Sequence, residues 1–393
     1  MPRTHRRNFL KLSGLSFLPV LSPWNANAGT GSAATGEPVK EPVVKFFADG
    51  ELYEPAAYID LLQQLSASTG ITRDRYGTGG AVEELEKKFA AITGKEKAIF
   101  LPSGTMANQL AIAVLSGNKP KVYLQDLSHI YRDEADAAQS VFGKRLMPLA
   151  MGETYFTAAD LQQAIESLKS NEVFESGIGA VAIENPVRRA DGRMVPIEEI
   201  RKISSYCREH NIKLHLDGAR LYMAAAWSGT GIKDYAANFD TVYISLYKYL
   251  GAAGGAVLCG DKTIIDQVPH LQKIHGGTMF TNWANAAMAL HKLETIETVL
   301  QDVIKRTTPL FAALNKINGI NIRALEGGTN IYELNLDKAI DGKKFQAGMK
   351  DNFKILVAPP NENNRALITV NETLLYRNDD YMVNAFKSSI AMK

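Results

Sequence analysis

Between about residue 60 and residue 300 the chain alternates short apolar runs with amphipathic helical stretches, and few folds accommodate that alternation. The runs are "KAIFLP", "KVYLQD", "GAVAIEN", "IKLHLDG", "DTVYISL" and "GGAVLCG", each edged by turn residues. Helical patterns such as "SGTMANQLAIAVL" and "IEEIRKISSYCREH" separate most of them. Ahead of them, Val82, Leu85, Phe89 and Ile92 recur at steps of three and four, the stripe of a helix with one buried face. A helix between two strands carries the chain back before the next strand pairs, so the strands run mainly parallel with helices on both faces. The expected fold class is therefore α/β. After the long helical stretch "TNWANAAMALHKLETIETVLQDVIKRTTPLFAAL" the pattern changes. "INIRALEG", "NIYELNL", "KILVAPP" and "RALITVN" read as strands around one or two helices. The expected division is a large domain over residues 43–305, including an N-terminal arm, and a small C-terminal α+β domain over 306–393.

The first 28 residues are read as a targeting segment and not as part of the fold. Arg3, Arg6, Arg7 and Lys11 precede an apolar run from Leu12 to Leu21, and Ala26-Asn27-Ala28 offers a small-x-small cleavage site. "RRNFLK" resembles the twin-arginine export signal, an address for proteins that leave the cytoplasm already folded. The alternative is an ordinary Sec signal. Residues 29–42, rich in Gly, Thr, Ala, Pro and Glu, read as a flexible linker. The expected location is the periplasm.

Length and composition, 393 residues with 46% hydrophobic and 22% charged, suit a globular enzyme with a large core. The formal charge of +2 turns slightly negative once the basic leader is set aside, which argues against a nucleic-acid or anionic-membrane binder. Beyond the leader every long apolar run is broken by charge or glycine, so no membrane span is expected. Two cysteines, Cys207 and Cys259, cannot build a Cys-rich metal site, and the seven histidines lack close ligand spacing. No metal is expected. The cysteines read as buried free thiols or, in an oxidising compartment, as a disulfide.

In open α/β sheets ligands collect at the carboxyl ends of the strands. Ser103-Gly104-Thr105, His129, Glu184-Asn185, Asp217 with Arg220, and Lys248 all stand there. Lys248, between an apolar strand and a Gly/Ala run, can be walled off from water, which lowers its pKa and suits Schiff-base work; otherwise it is a loop lysine. Asp217 can hold a protonated ring nitrogen or cap the helix that begins near "DGARLYMAAAW". Ser103-Gly104-Thr105 can bind phosphate at a helix N-terminus or supply a plain cap. His129 can lie on a cofactor ring or be structural, and Arg365 can grip a substrate carboxylate or remain solvated.

Taken together these segments resemble the threonine aldolase and β-eliminating lyase family of pyridoxal-phosphate enzymes, from about residue 45 to the C-terminus. "HLDGAR" is similar to that family's H-x-D-G-A-R, "YGTGGAVEELEKKFAAITGKEKAIFLPSGTMAN" to its Y-G-D-D-P-T-V…L-P-T-G-T-x-A-N, and "SLYKYLGAAGGAVLCG" to its S-K-G-L-G-x-P-x-G-S-x-L-x-G. The resemblance implies the aspartate-aminotransferase-like fold, fold type I, with pyridoxal 5′-phosphate as cofactor. It implies that Lys248 forms the Schiff base, Asp217 partners the ring nitrogen, Arg220 contacts the ring hydroxyl oxygen or nearby anions, and His129 stacks on the ring. Ser103, Gly104, Thr105 and Glu184 join the cofactor site. Asp49, Tyr76 and Arg365 fall to the substrate, with Tyr76 reaching a neighbouring subunit's site in a homodimer or homotetramer.

Several positions depart from the family pattern. Ala48 replaces a serine, Val187 the histidine of E-N-T-H, Tyr247 the serine before the lysine, Phe280 an arginine, and Met106 a glutamine. The cofactor machinery is thus better kept than the substrate machinery. Arg188 and Arg189, just after Val187, suggest a substrate with a second negative group or else a solvated turn. The expected activity is a lyase acting on a small amino acid, with aldol cleavage of a β-hydroxy amino acid to glycine and an aldehyde placed first. β-Elimination to pyruvate and ammonia is the alternative, and a fold-retaining binding protein without turnover the third.

Overall fold

The computed structural model describes residues 41–391. The leader, and all but the last two residues of the linker, lie outside the described residues. Twelve strands are formed: β1 (Val44–Lys45), β2 (Lys97–Leu101), β3 (Lys121–Gln125), β4 (Arg145–Leu149), β5 (Ile178–Glu184), β6 (Lys213–Asp217), β7 (Thr241–Ser245), β8 (Ala256–Gly260), β9 (Ile320–Ala324), β10 (Ile331–Leu336), β11 (Ile355–Leu356) and β12 (Arg365–Thr369). Seven of them make one sheet in the order β2-β8-β7-β6-β5-β3-β4. β8 pairs antiparallel with both of its neighbours, and the other strands run parallel.

The apolar runs read in the sequence supply six of these seven strands. β4, "RLMPL", is the one the pattern hid, because its proline reads as a break. Pro148 is accommodated because β4 is an edge strand, where a missing N–H leaves no neighbour unbonded. The helix Gly80–Thr93 buries Val82, Leu85 and Phe89, as their spacing requires. Ser103 caps the helix Gly104–Ser116 by accepting from the Met106 N–H at 3.2 Å. The long stretch after residue 280 divides into Trp283–Leu293 and Ile296–Leu314.

That second helix spans two apolar cores. Ile296 and Leu300 pack with the seven-stranded sheet, whereas Val303, Leu310, Phe311 and Leu314 pack with the three-stranded sheet β12-β10-β9. The change of core therefore comes just before residue 305, within a continuous helix. Cys207 and Cys259 are free, buried thiols, and burial pushes each up to about 12. Among the described residues no helix is long and apolar enough to cross a membrane.

One connection carries the N-terminal arm to the site. β1 pairs parallel with β11, and Val44 and Phe46 fill the smaller core. The buried Asn371 amide then donates to the carbonyls of Lys45 and Ala48, at 2.7 Å each. Losing a buried amide with two such bonds costs on the order of 2 kcal/mol. Fixed in this way, the arm presses Gly50 against the segment after β7: a Cβ there would stand 2.9 Å from Tyr249 Cα. Only glycine permits that approach, and it delivers Asp49 to the edge where the parallel strands end.

Candidate active site

Strand exits converge on a cavity of about 270 Å³. Its wall includes Ser103, Gly104 and Thr105 after β2, His129 after β3, Glu184 at the end of β5, Asp217 at the end of β6 with Arg220 beyond it, and Lys248 after β7. These are the residues that the sequence places at strand ends, and a parallel sheet brings them to one rim because its strands all finish on the same side.

Lys248 is half-buried, and its amine has no hydrogen-bond or ion-pair partner among the described residues. The Tyr247 ring centroid lies 5.8 Å from its Nζ. Burial, aided by the positive charge of Arg220, lowers the Lys248 amine to about 8. Asp217 is held firmly: Oδ2 accepts from Asn108 Nδ2 at 2.9 Å and Oδ1 from the Ala219 N–H at 3.2 Å. It is not the cap of the following helix, which begins at Leu221 with Arg220 in the cap position. Gly218 lets the turn lie flat on β7, since a Cβ would stand 2.9 Å from the Tyr243 carbonyl oxygen.

Arg220 donates from Nε to Asp49 Oδ1 at 2.9 Å, which ties the N-terminal arm to the rim. Asp49 itself acts through Arg220 and is not part of the cavity wall. Glu184 is buried, with its two oxygens taken by the N–H groups of His129 at 2.7 Å and Arg188 at 2.8 Å. Burial, reinforced by the nearby charge of Asp217, raises Glu184 to about 7. The His129 ring bonds Glu134 through Nδ1 at 3.0 Å, and that bond raises the imidazole's pKa. The first turn after Ser103 is made narrow by Tyr243: a Cβ on Gly104 would fall 2.0 Å from the Tyr243 hydroxyl. No residue but glycine fits there.

Two expectations are corrected, while that for Tyr76, a role in a neighbouring subunit's site, concerns another chain. Arg365 does not face the cavity; it pairs with Glu333, which also takes Arg323 at 2.6 Å. Alternation along β12 sends Ala366 and Ile368 into the core and leaves Arg365 on the opposite face, beside that carboxylate. Arg188 and Arg189 are not a free pair of cations awaiting a second negative group, because both bind Asp133, at 3.3 and 2.6 Å. Tyr76 lies outside the cavity: it is half exposed, and its ring meets Phe280 edge-on at 5.3 Å beside a second cavity of about 320 Å³. Val187 is fully buried and does not line the site.

The sequence reading missed Asn108, Glu134 and Tyr243. Asn108 lies one turn into the helix that follows the phosphate-binding candidates, and Glu134 lies five residues beyond His129 in "HIYRDEA". Helical spacing from a known site residue was the available signal for Asn108. Tyr243 gave none, because it reads simply as an apolar strand residue. The oxygens of Glu134 and Asp217 and a ring nitrogen of His129 all lie within 4.8 Å of one another. That triad belongs to the wall of this cavity.

The family model described as Beta-eliminating lyase matches residues 61–337. Over 212 residues, 53% of the chain and 56% of the relative, it is 36% identical to a low-specificity L-threonine aldolase of Candida albicans. It is 30% identical over 277 residues, 70% of the chain and 78% of the relative, to a probable low-specificity L-threonine aldolase 2 of Arabidopsis thaliana. The match thus spans little more than half the length of the Candida relative. Among solved structures, a putative L-allo-threonine aldolase of Listeria monocytogenes shares the fold, with a TM-score of 0.72, 22% identity, and coverage of 89% of this chain and 97% of that one. With its strand-end residues gathered at one rim and the match running through most of the sheet, the chain belongs to the Beta-eliminating lyase family.

Proposed function

We propose that the protein is a pyridoxal-phosphate-dependent lyase that cleaves a β-hydroxy amino acid of the threonine type into glycine and an aldehyde. The observation that carries this is the pair formed by the unpartnered Lys248 amine and the tightly held Asp217 carboxylate on one cavity wall. The residues fit the cofactor. The narrow first turn at Gly104 suits its phosphate, the partnerless lysine its aldehyde, and the buried acid its ring nitrogen. When bound, pyridoxal phosphate supplies an electron sink for the pair released by the breaking Cα–Cβ bond.

The chain's own groups do the rest. Lys248, eased toward its neutral form, is the amine that would hold the cofactor's aldehyde. Asp217, held by Asn108 and the Ala219 N–H, would accept the hydrogen bond of a protonated ring nitrogen. His129, tied to Glu134, lines the cavity, and Arg220, held by Asp49, balances the acids of the rim. Val187 cannot take the hydroxyl proton, so another group or a water molecule does. The names of the Candida and Arabidopsis relatives support aldol cleavage over β-elimination. A panel of β-substituted amino acids should yield glycine and aldehyde from threonine with the wild type and nothing with Lys248→Ala; pyruvate with ammonia as the main products would contradict this.

Cofactor loading should follow the Lys248 amine. The charged form dominates below about pH 8 and cannot attack an aldehyde. The rate at which the cofactor-free protein gains its visible band should therefore rise with pH and level off above about pH 8. A rate that keeps rising to pH 10 would show an ordinary lysine.

We also propose a homodimer or homotetramer with shared sites, supported by Tyr76 and Phe280, both 52% exposed and meeting edge-on away from the cavity that holds Lys248. Sedimentation should give a multiple of the chain mass, and a fully active monomer would refute the arrangement. Export through the twin-arginine route to the periplasm is proposed from "RRNFLK" and the cleavage site at Ala26-Asn27-Ala28. Cell fractionation should find the protein in the periplasm, and Arg6→Lys with Arg7→Lys should retain it in the cytoplasm; unchanged export in that variant would exclude the route.

A further inference from the structure

His215, Asn108 and Thr241 are fully buried polar side chains that the mechanism above leaves without a task. They form one chain of hydrogen bonds that ends on Asp217. Thr241 Oγ1 lies 2.8 Å from His215 Nδ1, and His215 Nε2 lies 3.0 Å from Asn108 Oδ1. Asn108 Nδ2 then reaches both Glu134 Oε1, at 2.7 Å, and Asp217 Oδ2, at 2.9 Å.

The direction of every bond follows from the far end. A charged carboxylate only accepts, and an amide has two hydrogens on its nitrogen and none on its oxygen. Both hydrogens of Asn108 are therefore taken by Asp217 and Glu134, and its oxygen must be met by a donor. His215 Nε2 carries that hydrogen, which leaves Nδ1 bare to accept from the Thr241 hydroxyl. A neutral imidazole is required, and burial, which lowers His215 to about 4, provides one. Were the amide turned over, its oxygen would face two carboxylates, and its nitrogen would face a ring N–H. The two acids therefore set the amide, and the donor at His215 Nε2 completes its oxygen.

We propose that Asn108 is the positioning residue that holds Asp217 aimed at the cofactor's ring nitrogen, and that His215 steadies the Asn108 amide by donating to its oxygen. The inference rests on the pyridoxal-phosphate reading above. The same amide nitrogen bridges Glu134 and Asp217, two acids that would otherwise repel across a dry gap. In this way it links the partner of the ring nitrogen to the partner of His129. The "H-x-D" spacing acquires a physical reason: two residues apart on β6, His215 and Asp217 point to the same side of the sheet and meet the same asparagine.

The test uses the full chain loaded with cofactor labelled with ¹⁵N in its ring, and reads the ring-nitrogen chemical shift together with kcat and KM. The wild type should show a protonated nitrogen. Asn108→Ala and His215→Leu should retain the visible band of bound cofactor, move the shift toward the unprotonated position, and lower kcat by about tenfold or more with little change in KM. His215→Gln, whose amide can donate to the same oxygen, should keep the wild-type shift. Thr241→Val should move it in the same direction by less, and it covers the case in which the leucine variant does not fold. A wild-type shift in Asn108→Ala, or equal shifts for leucine and glutamine at 215, would overturn the proposal. Failure of the wild type to bind the cofactor would instead overturn the functional reading on which it rests.

Discussion

Adjacent parallel strands end side by side, and everything at the site depends on that. β6 and β7 are hydrogen-bonded neighbours, with Asp217 opposite Tyr243, so the acid that ends one strand and the lysine that follows the other reach the same hollow. No long-range contact has to be contrived for the two to meet, because backbone pairing enforces it. The glycines serve the same end. Gly218 lets the turn after β6 lie against β7, and Gly50 lets the N-terminal arm lie against the lysine segment. Neither position has room for a side chain, so the backbone segments that carry the acid and the lysine are held close together.

Burying acids and bases together carries a cost, which the structure offsets by pairing them. Glu184 takes two backbone N–H groups, Glu134 takes His129 and Asn108, and Arg220 takes Asp49. Isolated ions at such depth would shift toward neutrality, as Glu184 does in spite of its two donors. Among the described charged residues of the rim, Lys248 is the one whose amine has no hydrogen-bond or ion-pair partner. A lysine kept dry and unpaired is poised to give up its proton, the requirement for an amine that must attack a carbonyl.

Much of this was legible in the sequence, for reasons that can be named. Apolar runs alternating with helical stripes leave a parallel sheet as the economical arrangement, and strand exits then point to Asp217 and Lys248 without any coordinates. What escaped was set by tertiary contact. β4 hid because Pro148 breaks the pattern, and only its place at the sheet edge makes it acceptable. Arg365 misled because one residue of register decides which face of a strand a side chain takes, and the strand turned it toward Glu333. Glu134 carries no motif of its own, and Asn108 closes "LPSGTMAN" with nothing in the pattern to give it a task; both take their meaning from one hydrogen-bonded cluster with residues far apart in the chain.

The claim beneath all of this is a covalent one: the amine of Lys248 holds the cofactor while Asp217 faces it across the ring. Borohydride reduction of the native, cofactor-loaded protein, followed by peptide mass mapping, tests it most directly. The account predicts a phosphopyridoxyl group on Lys248 and on no other lysine. A label on a different lysine, or none on a protein that has taken up the cofactor, would contradict it.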